Sequence, residues 1–96
     1  MINLEITASP AVGKKVELEQ SIVYFQKNLK KTSTQFELTA VDEESYQFSF
    51  KFETEEETQK LLENNSFILL SGAIQTLCKK PIVTLNGKKI TLKKLN

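Results

Sequence analysis

The chain has 96 residues, 40% apolar and 26% charged, and a net charge of +1. That length bounds one domain, 1–96, and the apolar content speaks against disorder and for a single core. It contains no His, no Trp and no Arg, and a single Cys. These absences weigh against His-based acid–base chemistry, the usual zinc sets, a Cys–His nucleophile pair and bidentate guanidinium recognition of phosphate or guanine.

No apolar run approaches the ~18 residues of a bilayer span. Met1-Ile2-Asn3-Leu4-Glu5 has neither the basic region nor the apolar stretch of a secretory signal. A lone Cys78 forms no internal disulfide, so the expected setting is reducing and cytoplasmic. Charge is spread unevenly along the chain. Residues 1–36 hold five Lys and three Glu, residues 37–63 nine acids and two Lys, and residues 64–96 six Lys and no acid.

In chain order, Ile2, Leu4 and Ile6 alternate with Asn3, Glu5 and Thr7, which predicts a half-buried strand. Ser9-Pro10 and Gly13 break it. From Glu17 to Lys31 the period lengthens: Leu18, Ile22, Phe25 and Leu29 make one stripe of an amphipathic helix. Glu17 and Glu19 sit at its start and Lys27, Lys30 and Lys31 at its end, the order the helix dipole favours. A strand over 16–19 is the competing reading, since Val16 and Leu18 also alternate. Thr32–Thr34 is a polar break. Phe36, Leu38 and Ala40, then Tyr46, Phe48, Phe50 and Phe52, alternate with polar residues across the turn Asp42-Glu43-Glu44-Ser45 and predict a hairpin with one aromatic face.

Thr54-Glu55-Glu56-Glu57 matches a capping box and starts a helix containing Leu61 and Leu62, ended or kinked by Asn64-Asn65. Residues 66–80 are apolar nearly all round, which predicts a buried central helix, with Ser71, Gly72 and Ala73 admitting a close backbone neighbour. Phe67–Leu70 reads equally as a buried strand. Pro81 forbids further helix. Ile82–Leu85, Asn86-Gly87 and Lys88–Leu92 then form a hairpin around a type I′ turn. The order is β-α-ββ-α(α)-ββ: an α+β fold with an antiparallel sheet of about five strands and two or three helices packed on one face.

Three features could carry function. Lys79, Lys80, Lys88, Lys89 and Lys93 could contact phosphates or an acidic partner, or serve as solvated charge that blunts an exposed sheet edge. The carboxylates at Asp42–Glu44 and Glu55–Glu57 lack the spacing of a calcium loop, and the second group suits the positive end of a helix. The aromatic stripe could stack bases if exposed, but the two apolar helices need a surface to bury against, which makes it core. Cys78 reads as a buried, inert thiol and Tyr24 as an edge residue. No metal or cofactor is implied. The expectation is a small, non-enzymatic, cytoplasmic interaction module that binds a protein partner or itself. Weak, non-sequence-specific nucleic-acid binding through the lysine hairpin is its alternative.

Overall fold

The computed structural model describes residues 2–29, 35–42 and 44–90. Lys30, Lys31, the break at 32–34, Glu43 and residues 91–96, Lys93 among them, lie outside the described residues.

The alternating pattern of the first residues becomes β1 (Ile2–Ala8), whose Leu4, Ile6 and Ala8 are fully buried. A turn follows, closed by the Lys14 N–H to Ala11 C=O bond of 3.0 Å, with Gly13 at φ 79° in the left-handed region that glycine tolerates. The first helix, α1 (Lys15–Leu29), begins two residues before the predicted start. Val16 therefore lies in helix rather than strand, and it is exposed. Leu18, Ile22 and Phe25 face the core at the expected spacing.

The predicted hairpin forms from β2 (Gln35–Asp42) and β3 (Ser45–Phe52), with Phe36 opposite Phe50 and Leu38 opposite Phe48. Next come α2 (Glu55–Leu62) and α3 (Asn65–Leu77). Thr54 caps α2 as expected: its Oγ1 accepts from the Glu57 N–H at 3.2 Å, while Glu57 Oε2 reaches back one residue past the cap to accept from the Glu53 N–H at 2.9 Å. Asn64 caps α3 by accepting from the N–H groups of Ser66 and Phe67. Phe67–Leu70 is therefore helix, started by the side chain of Asn64, where the sequence suggested an end or a kink.

The expectation of a buried central helix is corrected. Helix α3 buries Phe67, Leu70, Ser71 and Ile74, while Ile68 and Leu69 remain 43% and 59% exposed. A helix lying on a single sheet has one covered face, so even an apolar sequence keeps an outer one. Gly72 is exposed on that outer side, and no described backbone comes close to it.

The last hairpin is β4 (Ile82–Leu85) and β5 (Lys88–Ile90), joined by Asn86 and Gly87 at φ 51° and 84°, as a type I′ turn requires. Asn86 also clamps the start of β1. Its side-chain oxygen accepts from the Asn3 N–H at 2.9 Å, and its own N–H donates to the Asn3 carbonyl at 2.8 Å.

All neighbouring strands are antiparallel, in the order β2-β3-β1-β4-β5. Strands β1 and β2 are linked by α1 and separated by β3. The first four strands thus make the split β-α-β arrangement of ferredoxin-like folds, extended at one edge by β5. The covered face carries Leu4, Ile6, Phe48, Phe50, Phe52 and Val83, and it packs against Leu18, Ile22 and Phe25 of α1, Leu61 of α2, and Phe67, Leu70 and Ile74 of α3. The other face carries Asn3, Glu5, Thr7, Gln47, Ser49 and Thr84 in register.

Asn86 combines a left-handed backbone with a side-chain bond to β1. Replacing it with Ala is expected to destabilise the fold by about 1–2 kcal/mol in urea unfolding. Asn86→Gly, which keeps the backbone freedom and loses only the side-chain bond, should cost less than half of that. Equal losses would show that the left-handed backbone contributes nothing to the choice of Asn.

Candidate functional site

The loop after β1 fixes how α1 and α3 lie side by side. Ala11 N–H donates to the Leu77 carbonyl at 2.8 Å, Lys79 N–H donates to the Ser9 carbonyl at 3.1 Å, and Pro10 forms an isolated bridge with Cys78. The start of α1 is thereby tied to the end of α3. Phe25 of α1 meets Phe67 of α3 at the opposite end, with ring centroids 6.4 Å apart. The two helices therefore run antiparallel over the sheet.

Between them, on the side away from the sheet, lies an open groove of about 450 Å³ lined by Glu17, Gln20, Ser21, Tyr24, Ser66, Leu69, Leu70 and Leu77. The lining follows helical spacing. Glu17, Ser21 and Tyr24 recur at four and three residues on α1; Ser66, Leu69, Leu70 and Leu77 share a stripe on α3. Leu70 is buried, whereas Tyr24 is 54% exposed and Leu69 59%. The polar rim is partly engaged. Ser21 Oγ donates to the Glu17 carbonyl at 3.1 Å, and the Glu17 carboxylate pairs with Lys14 at 3.7 Å.

A smaller hollow of about 280 Å³ lies at the β2–β3 pair, lined by Phe36, Glu37, Ser49 and Lys51. Beside it, Gln47 Nε2 donates to Glu5 Oε2 at 3.1 Å across β3 and β1. This hollow is lined mainly by polar side chains and lacks the leucine floor of the α1–α3 groove.

Two further groups hold their protons more tightly than usual. Tyr46, at the start of β3, donates its hydroxyl to Glu19 of α1 at 3.1 Å. Burial, then that hydrogen bond and the Glu19 charge, push its phenol above its ordinary value. Cys78 caps the C-terminal end of α3, and burial pushes its thiol from 9.0 up to about 11.

The lysines singled out in the sequence are dispersed. Lys79 and Lys80 follow α3 beside the end of β1, whereas Lys88 and Lys89 begin β5. The four residues of β4 separate the two pairs by roughly 10 Å of strand. Lys88 is opposite Leu85 and Lys89 opposite Thr84, so the two side chains leave opposite faces of the sheet. β5 is an edge strand, and exposed lysines are one means of keeping such an edge unpaired. Lys93 lies outside the described residues. The groove was missed in the sequence, where of its polar rim only Glu17, as an acid at the helix start, and Tyr24, as an edge residue, were singled out. Its signal was a second stripe on each helix beside the core stripe, which gains meaning only once the helices are known to be neighbours.

No protein-family model matches the sequence, and no curated protein matches it. Solved structures do share its architecture. A crystal structure of an antibiotic biosynthesis monooxygenase superposes with a TM-score of 0.76 at 9% identity, covering 88% of this chain and 95% of that one. A protein from Mycobacterium tuberculosis gives 0.76 at 8% identity, over 88% and 90%. A protein from Nitrosomonas europaea, described as a candidate antibiotic biosynthesis monooxygenase, gives 0.72 at 10%, over 88% and 95%. At these identities the likeness is one of fold.

That likeness corrects two expectations. The expectation of a non-enzymatic interaction module is corrected, because proteins described as monooxygenases carry this architecture. The exclusion of an enzyme is withdrawn for the same reason. Lacking His, Arg and a paired motif rules out only the chemistries that need those groups.

The raised thiol makes a direct prediction. At pH 8 native Cys78 should be alkylated by iodoacetamide about a hundredfold more slowly than in urea, because moving the thiol from 9.0 to about 11 lowers its thiolate share by about that factor. The folded state holds this proton more tightly, so the thiol's contribution to stability falls as pH rises from 9.0 towards 11. Equal native and unfolded rates would show the thiol to be exposed.

Proposed function

We propose that this protein binds a small organic molecule in the groove between α1 and α3. The observation that carries this reading is the groove's make-up. Its volume of about 450 Å³ falls within the range of small-molecule sites. Its floor is leucine, and its rim offers a carboxylate, an amide and three hydroxyls from Glu17, Gln20, Ser21, Tyr24 and Ser66. Tyr24 and Leu69 hold large apolar surfaces in water at its lip. Covering such surface is favourable by roughly 25 cal/mol per Å², so an apolar body laid along the groove is stabilised there.

Oxygenation of the bound molecule is the enzymatic form of this reading. It is favoured by the fold shared with proteins described as antibiotic biosynthesis monooxygenases. No described helix is long and apolar enough to cross a membrane. The proposed compartment is the cytoplasm, on the strength of the single cysteine being a buried free thiol.

The test is a screen of small aromatic and acyl compounds by thermal shift, followed by titration of tyrosine fluorescence in a Tyr46→Phe background, where Tyr24 alone reports from the groove. A bound compound is expected to lose at least about tenfold in affinity on Leu69→Asp. As a surface change, that substitution should alter stability by no more than about 0.5 kcal/mol. Undiminished affinity in Leu69→Asp would contradict the reading. Oxygen uptake dependent on the bound compound would support the enzymatic form.

A further inference from the structure

The groove has two chemically different ends. Glu17 and Tyr24 are seven residues apart on one helix, about 10.5 Å along its axis. The antiparallel arrangement sets Glu17 at the Leu77 end of α3 and Tyr24 at the end bearing Ser66, Leu69 and Leu70. Among the eight lining residues Glu17 alone is charged; the other polar ones are an amide, two aliphatic hydroxyls and a phenol.

Among the described residues that line the groove, none is a cation. Lys14 lies outside the lining, 3.7 Å from Glu17, with both side chains about half exposed. Such solvated pairs are weak, so Lys14 gives way readily to a better-placed cation. An ammonium lying over the leucine floor would be partly shielded from water, and its hydrogen bond to the carboxylate would be correspondingly stronger. An anionic head in the same place would face the Glu17 carboxylate, and Lys14, the cation beside it, is already paired with that carboxylate.

We infer that the groove selects an organic amine: a cationic head at Glu17 and a flat apolar body about 10 Å long reaching Leu69 and Tyr24. This rests on the small-molecule reading of the same groove. Glu17 is here the specificity-determining residue, and Leu69 with Tyr24 supplies the contact for the body.

The test compares 2-naphthylmethylamine with 2-naphthoate, which share a ring system and carry opposite charges at pH 7, in titrations of the ¹⁵N-labelled protein followed by NMR. The amine is expected to bind about tenfold more tightly, with amide shifts at Glu17, Tyr24 and Leu69. Glu17→Gln should remove the preference and keep the shifts around Leu69. Equal binding of both probes within the groove would overturn the amine assignment and leave the small-molecule reading standing. A preference that survives in Glu17→Gln would overturn the role of Glu17. No groove shifts with either probe would overturn both readings.

Discussion

The structure depends above all on the ring of Phe50. It projects from β3 into the covered face of the sheet and is fully buried. Phe25 of α1 packs against it with centroids 6.1 Å apart, Phe67 of α3 at 5.7 Å and Phe36 of β2 at 5.0 Å. Phe25 and Phe67 also meet each other. Each such ring contributes roughly 1.5–3 kcal/mol through burial, and each well-oriented pair about 0.5–1.5 kcal/mol more. Both long helices thus take their position from one side chain. With the far end tied by the Ala11–Leu77 backbone bond, their spacing is fixed at both ends.

That spacing makes the groove. Two helices seated side by side on a sheet spend one stripe each on the core, and the adjacent stripes meet above it. Bulky residues along both would close the seam. Here Ser21 and Ser66 are small, and Tyr24 and Leu69 stand out into water. The groove therefore follows from side-chain size at a few positions, on a scaffold whose stability comes from elsewhere.

Much of the scaffold was legible in the sequence because the signals were local. Alternation marked β1 and the aromatic hairpin, Thr54 and Glu57 marked the start of α2, and Asn86-Gly87 marked the last turn with both residues at positive φ. The ambiguity over Phe67–Leu70 was settled by Asn64, whose side chain satisfies two N–H groups of the first turn. Composition could not reveal that, since Asn serves turns and caps alike. The outer face of α3 was misjudged because an apolar run does not say how many sides are covered. The lysines looked like one patch in sequence, yet pleating sends Lys88 and Lys89 to opposite faces. The site was the least legible part, because each half of the groove is an ordinary helical stripe until the sheet brings the two together. The exclusion of an enzyme failed for a related reason: it rested on absent motifs, and fold is not encoded in those residues.

The central claim is that the seam between α1 and α3 is a ligand site. The most direct measurement is crystallography of the protein soaked with a library of small organic fragments. Fragments are expected to recur in the groove, with their apolar part against Leu69 and Tyr24 above the Leu70 floor. Crystals in which the groove is open to solvent, yet stays empty while fragments collect elsewhere, would contradict the claim.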